Sequence, residues 1–164
     1  MDYKNYLSTF QKASDQLDKK VLREKQLEVA VGEVLNSVFL KLYKKSWTNP
    51  SKDLLTSESR IFFSIWTNNS AIEEQKIFYN IHALKLRHLK GYKIQSRQFA
   101  DIFRDSFKSV DKKWENVSVK FGPLTLMEGW LKVDPDNFQK EIVELANNFI
   151  EIEHLVDDTL AYFK

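Results

Sequence analysis

The 164-residue chain has no cysteine, only four glycines and three prolines, and no run near the 18 or so consecutive apolar residues that cross a bilayer. Lack of cysteine excludes disulfides, thiolate metal sites and cysteine nucleophiles, and it suits a reducing compartment. The opening stretch MDYKNYLSTFQKASDQLDKK has no basic segment followed by an apolar one, so the expected location is cytoplasmic, with no membrane partner. Scarce glycine leaves no phosphate-cradling loop and no G-x-S-x-G elbow, and H-E-x-x-H is missing as well. No catalytic residue, metal ligand or cofactor is therefore assigned, and an enzyme is the less favoured reading. Repeats and low-complexity tracts are also lacking.

What is there is apolar and aromatic. A hydrophobic fraction of 43% with 13% aromatics is enough for one domain, residues 1–164, with a substantial core. A net charge of +2 does not by itself imply a nucleic-acid partner.

Apolar periodicity predicts an α+β fold that is mostly helical, with long N- and C-terminal helices and a small antiparallel sheet. After a short helix over Tyr3 to Ala13, Leu17, Val21, Leu27, Val31, Val34, Leu35, Val38 and Leu42 recur at helical spacing. A long helix from Asp15 to Tyr43 is expected, although Val38 to Lys44 alternates almost as well and is the rival strand. Pro50 lies in a loop over Thr48 to Ser59. Arg60 to Trp66 reads as a strand from its aromatic and β-branched residues. Ser70 and Glu73 form a capping box and Gly91 suits a C-terminal stop, which predicts a helix from Ala71 to Lys90. A second helix runs from Ser96 to Val110. From Asn116 the period becomes two, a hairpin turning at Gly122-Pro123 and ending near Val133. Asp134-Pro135 opens the last helix.

Three functional readings follow. In the last helix Phe138, Ile142, Leu145, Phe149, Ile152 and Val156 repeat on steps of four and three, a seam for another long helix. Its partner is either the N-terminal helix of the same chain or a second subunit. With no catalytic motif, the leading expectation is an interaction or regulatory domain that binds a protein partner or itself through this seam.

The second reading uses the element order, which matches a winged helix with an added C-terminal helix. In that arrangement Arg97, Gln98, Arg104 and Lys108 face a nucleic acid, with Lys90 and Lys93 at the preceding corner and Lys120 near the hairpin tip. Asp101 and Asp105, on the same side, oppose it. The segment Lys76 to Arg97 contains six basic residues and no acid, and the acidic C-terminal helix, with Glu153, Asp157 and Asp158, is its expected neutraliser.

The third reading is an enzyme or small-ligand binder built from scattered residues, with the strand Ile61 to Trp66 and His82 as starting points. On a helix His82 and His88 would stand about 120° apart, too far around to share a metal. Glu151 and His154 have the E-x-x-H spacing but lack the second pair that a carboxylate-bridged metal site needs.

Overall fold

The computed structural model describes residues 3–164. A 3-10 turn over Tyr3–Tyr6 leads into α1 (Leu7–Asp15) and α2 (Lys19–Glu24), where the Asp18 carboxylate accepts the amides of Lys20 and Val21. Two strands follow, β1 (Glu28–Val34) and β2 (Ser37–Tyr43), then β3 (Arg60–Asn68), the single turn α3 (Asn69–Glu73) and β4 (Lys76–Leu84). The remainder is α4 (Ser96–Phe107), β5 (Thr125–Lys132), α5 (Phe138–Ile152) and α6 (His154–Ala161). The five strands form one antiparallel sheet in sequence order, β1 to β5.

The expected helix from Asp15 to Tyr43 is overturned. Its second half is the β1–β2 hairpin, paired from Glu28↔Tyr43 to Val34↔Ser37. Val29 and Val31 face the core with Val38, Leu40 and Leu42 at a period of two, and three of these, Val31, Val38 and Leu42, also fall on a helical spacing. The turn decides between them. Leu35 and Asn36 both take positive φ, 47° and 62°, the geometry of a two-residue type I′ turn whose twist matches the strands it joins. The rival strand near Val38 to Lys44 is the one present.

The expected helix from Ala71 to Lys90 is overturned as well. Asn68, not Ser70, caps the turn, with Oδ1 accepting the Ala71 amide at 2.8 Å. Gln75 then takes φ 58° and the chain reverses into β4. There Ile77, Tyr79, Ile81 and Ala83 point inward, alternating with Phe78, Asn80 and His82. Gly91 does adopt a left-handed φ of 91°, but it follows a 3-10 turn over Leu86–His88 rather than a long helix.

With a hairpin and a strand in place of two helices, the winged-helix order disappears. "Mostly helical" fails too, since 46% helix accompanies 26% strand. The α+β class stands, with the five-stranded sheet as its central layer. Of the expected 116–133 hairpin, only the second arm is a full strand. The first touches it through one bridge, Ser118 and Glu128 exchanging backbone hydrogen bonds of 2.8 and 3.0 Å.

All the larger helices lie on one face of the sheet. Phe138, Ile142, Leu145, Phe149, Ile152 and Val156 are buried there. Phe149 stacks on Phe63 of β3 at 4.5 Å and meets Trp47 edge-on, while Phe138 packs against Tyr6. The seam is therefore filled from within the chain, by the sheet and the N-terminal segment, and offers no apolar stripe to a second subunit. At Thr159, where the heptad pattern is interrupted, Oγ1 donates to the Leu155 carbonyl at 2.7 Å, so the buried hydroxyl is satisfied.

One charged cluster fastens α6 to the sheet. Lys44 Nζ lies 2.6 Å from both Glu153 Oε2 and Asp157 Oδ2, and Trp47 Nε1 donates to Asp157 Oδ1 at 2.7 Å. Burial alone would lower the Lys44 pKa, but hydrogen bonds to Asp157 and Glu153 outweigh it and raise the value.

Candidate ligand groove on the open sheet face

Because side chains alternate along a strand, the face away from the helices carries its own set of residues. The register aligns them in rows across the strands. One row is Gly32, Phe39, Trp66, Phe78 and Trp130. The next is Ala30, Lys41, Ser64, Asn80 and Glu128, and a third holds Phe62, His82 and Thr125. An aromatic row thus borders a polar one. Between them runs a depression of about 300 Å³, lined by Val34, Leu35, Phe39 and Trp66 on its apolar side and by Lys41, Ser64, Asn80, His82 and Glu128 on its polar side.

Gly32 shapes the apolar end. A Cβ at that position would lie 3.0 Å from the Phe39 ring, so the lack of a side chain lets the ring lie against β1. Trp66 and Phe78 stack at 4.7 Å with planes 15° apart, fixing the wall of the groove. At the tip Leu35 is 91% exposed and held in the left-handed region, an apolar side chain in a place where asparagine or glycine is cheaper.

The polar side has three unusual groups. Lys41 Nζ sits 4.5 Å from the Phe39 ring centre and 4.6 Å from that of Phe62, and among the described residues no carboxylate pairs with it. Its burial, with Arg60 nearby, lowers its pKa. Arg60 lies over the same Phe62 ring at 5.4 Å, outside the groove lining. Asn80 is only 3% exposed; its Nδ2 donates to Glu128 Oε1 at 3.3 Å, and Oδ1 has no hydrogen-bond partner. His82 has its pKa lowered, first by burial and also by Lys41 and Arg60, against the opposing pull of the Leu124 carbonyl and Glu128. With Nδ1 donating to the Leu124 carbonyl at 3.3 Å, its Nε2 is left as an acceptor.

His82 and Trp66, the end of the strand singled out from sequence, come together here; Trp130 lies further along the same face with Lys76 Nζ 4.4 Å above its ring. Trp47 and Trp114 are core residues. The basic set does not converge. Arg104 turns inward and donates to the carbonyls of Phe121, Gly122, Thr125 and Leu126 at 2.9–3.1 Å, holding the loop before β5. Lys108 lies 3.5 Å from Asp105. Lys90, Lys93, Arg97, Gln98 and Lys120 are exposed.

The acidic C-terminal helices take Lys25, Lys44 and Lys113 as partners, whereas Lys76 and Lys85 pair with Glu74 and Glu58. The expected neutralisation of the 76–97 segment by α5 and α6 is not seen: two of its six basic residues pair elsewhere, and none pairs with α5 or α6. Glu151 and His154 are exposed, with Glu151 on Lys113 at 2.9 Å. Among the described residues no three His, Asp or Glu side chains gather in a metal-binding arrangement. No helix among them is long and apolar enough to cross a membrane.

A larger depression of about 480 Å³ lies beside Arg23, Lys44 and Lys45. Its two lysines have carboxylates, Glu153 and Asp157 for Lys44 and Glu28 for Lys45, and no buried polar atom in its lining lacks a partner. The open-face groove differs in holding such an atom, Asn80 Oδ1. Comparison with protein-family models, curated proteins and solved structures found no match to this chain.

Phe39, Lys41, Ser64, Asn80 and Glu128 were missed by sequence reasoning. The signal was the alternation itself, Phe39-Lys41 in SVFLKLY and Phe78-Asn80-His82 in KIFYNIHAL.

Proposed function

We propose that this chain is a binding module whose open sheet face holds a small amphipathic ligand. Its apolar part lies along Phe39, Trp66 and the Val34-Leu35 tip, and its polar head reaches Lys41, Asn80 and His82. The observation that carries this reading is Asn80 Oδ1, a buried acceptor without a donor in the wall of the groove. A native protein rarely buries such an atom unsatisfied, because its desolvation costs about 1–3 kcal/mol. Oδ1 has almost no access to solvent, so a bound donor would recover that cost by drawing the Asn80 amide into the groove. The neighbouring unpaired Lys41 supports the same conclusion, since half-buried charges are ordinarily neutralised.

The test is a thermal-shift screen of small ring-bearing acids, amines and amides against the wild type, Asn80→Leu and Lys41→Met. Compounds that stabilise the wild type should lose most of their effect on both variants. Asn80→Leu itself should fold normally, because it replaces an unsatisfied polar group with an apolar one of similar size. Stabilisers that act equally on all three proteins would refute the assignment.

A second reading, a protein-contact surface, is favoured by one observation: the exposed Leu35 beside Val34, at the tip of β1, which is an edge strand of the sheet. If the chain self-associates there, sedimentation velocity at tens of micromolar should show a dimer that Leu35→Asn dissolves. A monomer under those conditions removes the self-association version.

A further inference from the structure

Resting on the reading of the groove as a ligand site, we propose that its ligand is a small carboxylic acid bound as the anion. The carboxylate takes hydrogen bonds from Lys41 Nζ and Ser64 Oγ, and the apolar body lies along Phe39 and Trp66.

Lys41 of β2 and Ser64 of β3 are paired directly across the two strands, so their side chains stand beside one another on the open face, and both line the groove. Phe39 lies two residues before Lys41, opposite Trp66, and Phe62 lies two residues before Ser64, so in antiparallel strands the two phenylalanines flank the pair from opposite sides. Lys41 Nζ is 4.5 Å from one ring centre and 4.6 Å from the other, held between them at the level of the pair. The ring faces attract its charge but offer no oxygen to accept its N–H groups. Among the described residues Nζ has neither a hydrogen-bond acceptor nor a carboxylate within ion-pair distance, and Ser64 Oγ has no hydrogen-bond partner. Unlike Asn80 Oδ1, neither atom is sealed from solvent, so a ligand reaches both without any rearrangement.

The surrounding charge selects the sign of the head. Arg60, 5.4 Å from the Phe62 ring, is a second cation beside Lys41. The Lys41 pKa is lowered first by burial and then by Arg60, whose effect exceeds the opposing one of Asp53. Glu128, the one carboxylate in the lining, stands two strands beyond Ser64 on β5 and takes its hydrogen bond from Asn80. A cationic head on Glu128 would leave Lys41 without a counter-ion, and a neutral amide on Lys41 would accept its N–H groups without compensating its charge. A carboxylate does both. The Phe39–Trp66 pair adjoins the Lys41–Ser64 pair on the side of the Val34-Leu35 tip, which fixes where the body lies. A groove of about 300 Å³ is at the small end for a ligand site, so the body is a single ring or a short branched chain.

The experiment is a calorimetric titration at pH 7, with indole and amide spectra in parallel, of four compounds that share one body and differ in the head: hydrocinnamate, its primary amide, the corresponding alcohol and the corresponding amine. The acid should bind roughly tenfold or more tighter than the amide and the alcohol, and the amine should bind most weakly. Lys41→Met should bring the acid down to the affinity of the amide, Lys41→Arg should keep a preference for the acid, and Ser64→Ala should reduce that preference by a smaller factor than Lys41→Met. Equal binding of all four heads, with a shift at Trp66, would overturn the carboxylate while leaving the groove as a ligand site. A preference for the acid that survives Lys41→Met would overturn the placement of the head. Binding by none of the four at millimolar concentration would overturn the proposed ligand class; the groove itself is judged by the separate thermal-shift screen.

Discussion

Replacing Lys44 by methionine should destabilise the chain strongly, although Lys44 lies outside the groove. Its side chain is 8% exposed and that of Glu153 is 7% exposed, with Nζ 2.6 Å from the carboxylate. Removing one partner of a buried pair costs about 3–5 kcal/mol, because the remaining charge stays desolvated. Two features place this case at the lower end. Asp157 is 42% exposed and can turn to water, and Lys25 stands 3.7 Å from Glu153 as a second cation. We expect a loss of about 3 kcal/mol, which for a domain of this size lowers the melting temperature by about 6–12 °C.

The assay is urea unfolding at pH 7 of wild type, Lys44→Met, Glu153→Gln and the double variant. The double variant should be more stable than Lys44→Met, because it no longer buries an unpaired carboxylate; the coupling should exceed about 1 kcal/mol. Since the folded-state pKa of Lys44 is raised, its contribution is complete below the ordinary lysine value and is lost as the pH rises through the folded-state value. A Lys44→Met loss below 1 kcal/mol, or the same loss with and without Glu153, would refute the reasoning.

Gly129→Ala should cost about 2–3 kcal/mol in the same unfolding assay, because a Cβ there would lie 2.3 Å from the Tyr79 hydroxyl, which donates to the Glu115 carbonyl at 2.6 Å. Leu35→Asn should instead stabilise by roughly 0.5–1 kcal/mol, since asparagine tolerates a φ of 47° better than leucine. Measured alongside, ligand affinity should fall if Leu35 forms the groove lip. Arg104→Ala should leave the global fold intact but accelerate amide hydrogen exchange in residues 121–126, four of whose carbonyls the guanidinium holds; unchanged exchange there would contradict that role.

The parts legible in the sequence were those with a single available period. Phe99, Phe103 and Phe107 fit only a helix, and α4 follows from them, ending at Phe107 rather than Val110; Phe138 through Val156 fit one long helix, which the structure divides at Glu153 into α5 and α6. The strand that composition predicts over Arg60 to Trp66 is β3, which runs on to Asn68. The errors lie where two periods coincide. Val31, Val34, Leu35, Val38 and Leu42 satisfy a helix, yet Leu35-Asn36 is a turn because the β1–β2 pairing stabilises a conformation that leucine rarely adopts alone. At Ser70-Glu73 the local capping signal is overridden by the pairing of β4 with β3 and β5.

The groove is hidden for the same reason. A helix over Ala71 to Lys90 sets Asn80 and His82 about 200° apart around its axis, and a helix over Asp15 to Tyr43 separates Lys41 from both, whereas all three lie on strands. The register across four strands, which no local pattern contains, is what aligns Lys41, Ser64, Asn80 and Glu128.

Binding of a ligand by the open sheet face around Asn80 is tested most directly by a fragment titration followed through the Asn80 side-chain amide and Trp66 indole resonances. The strongest binders should shift both signals together, and Asn80→Leu should abolish the Trp66 response. Binders that shift neither signal, or a Trp66 response that survives Asn80→Leu at full amplitude, would contradict it.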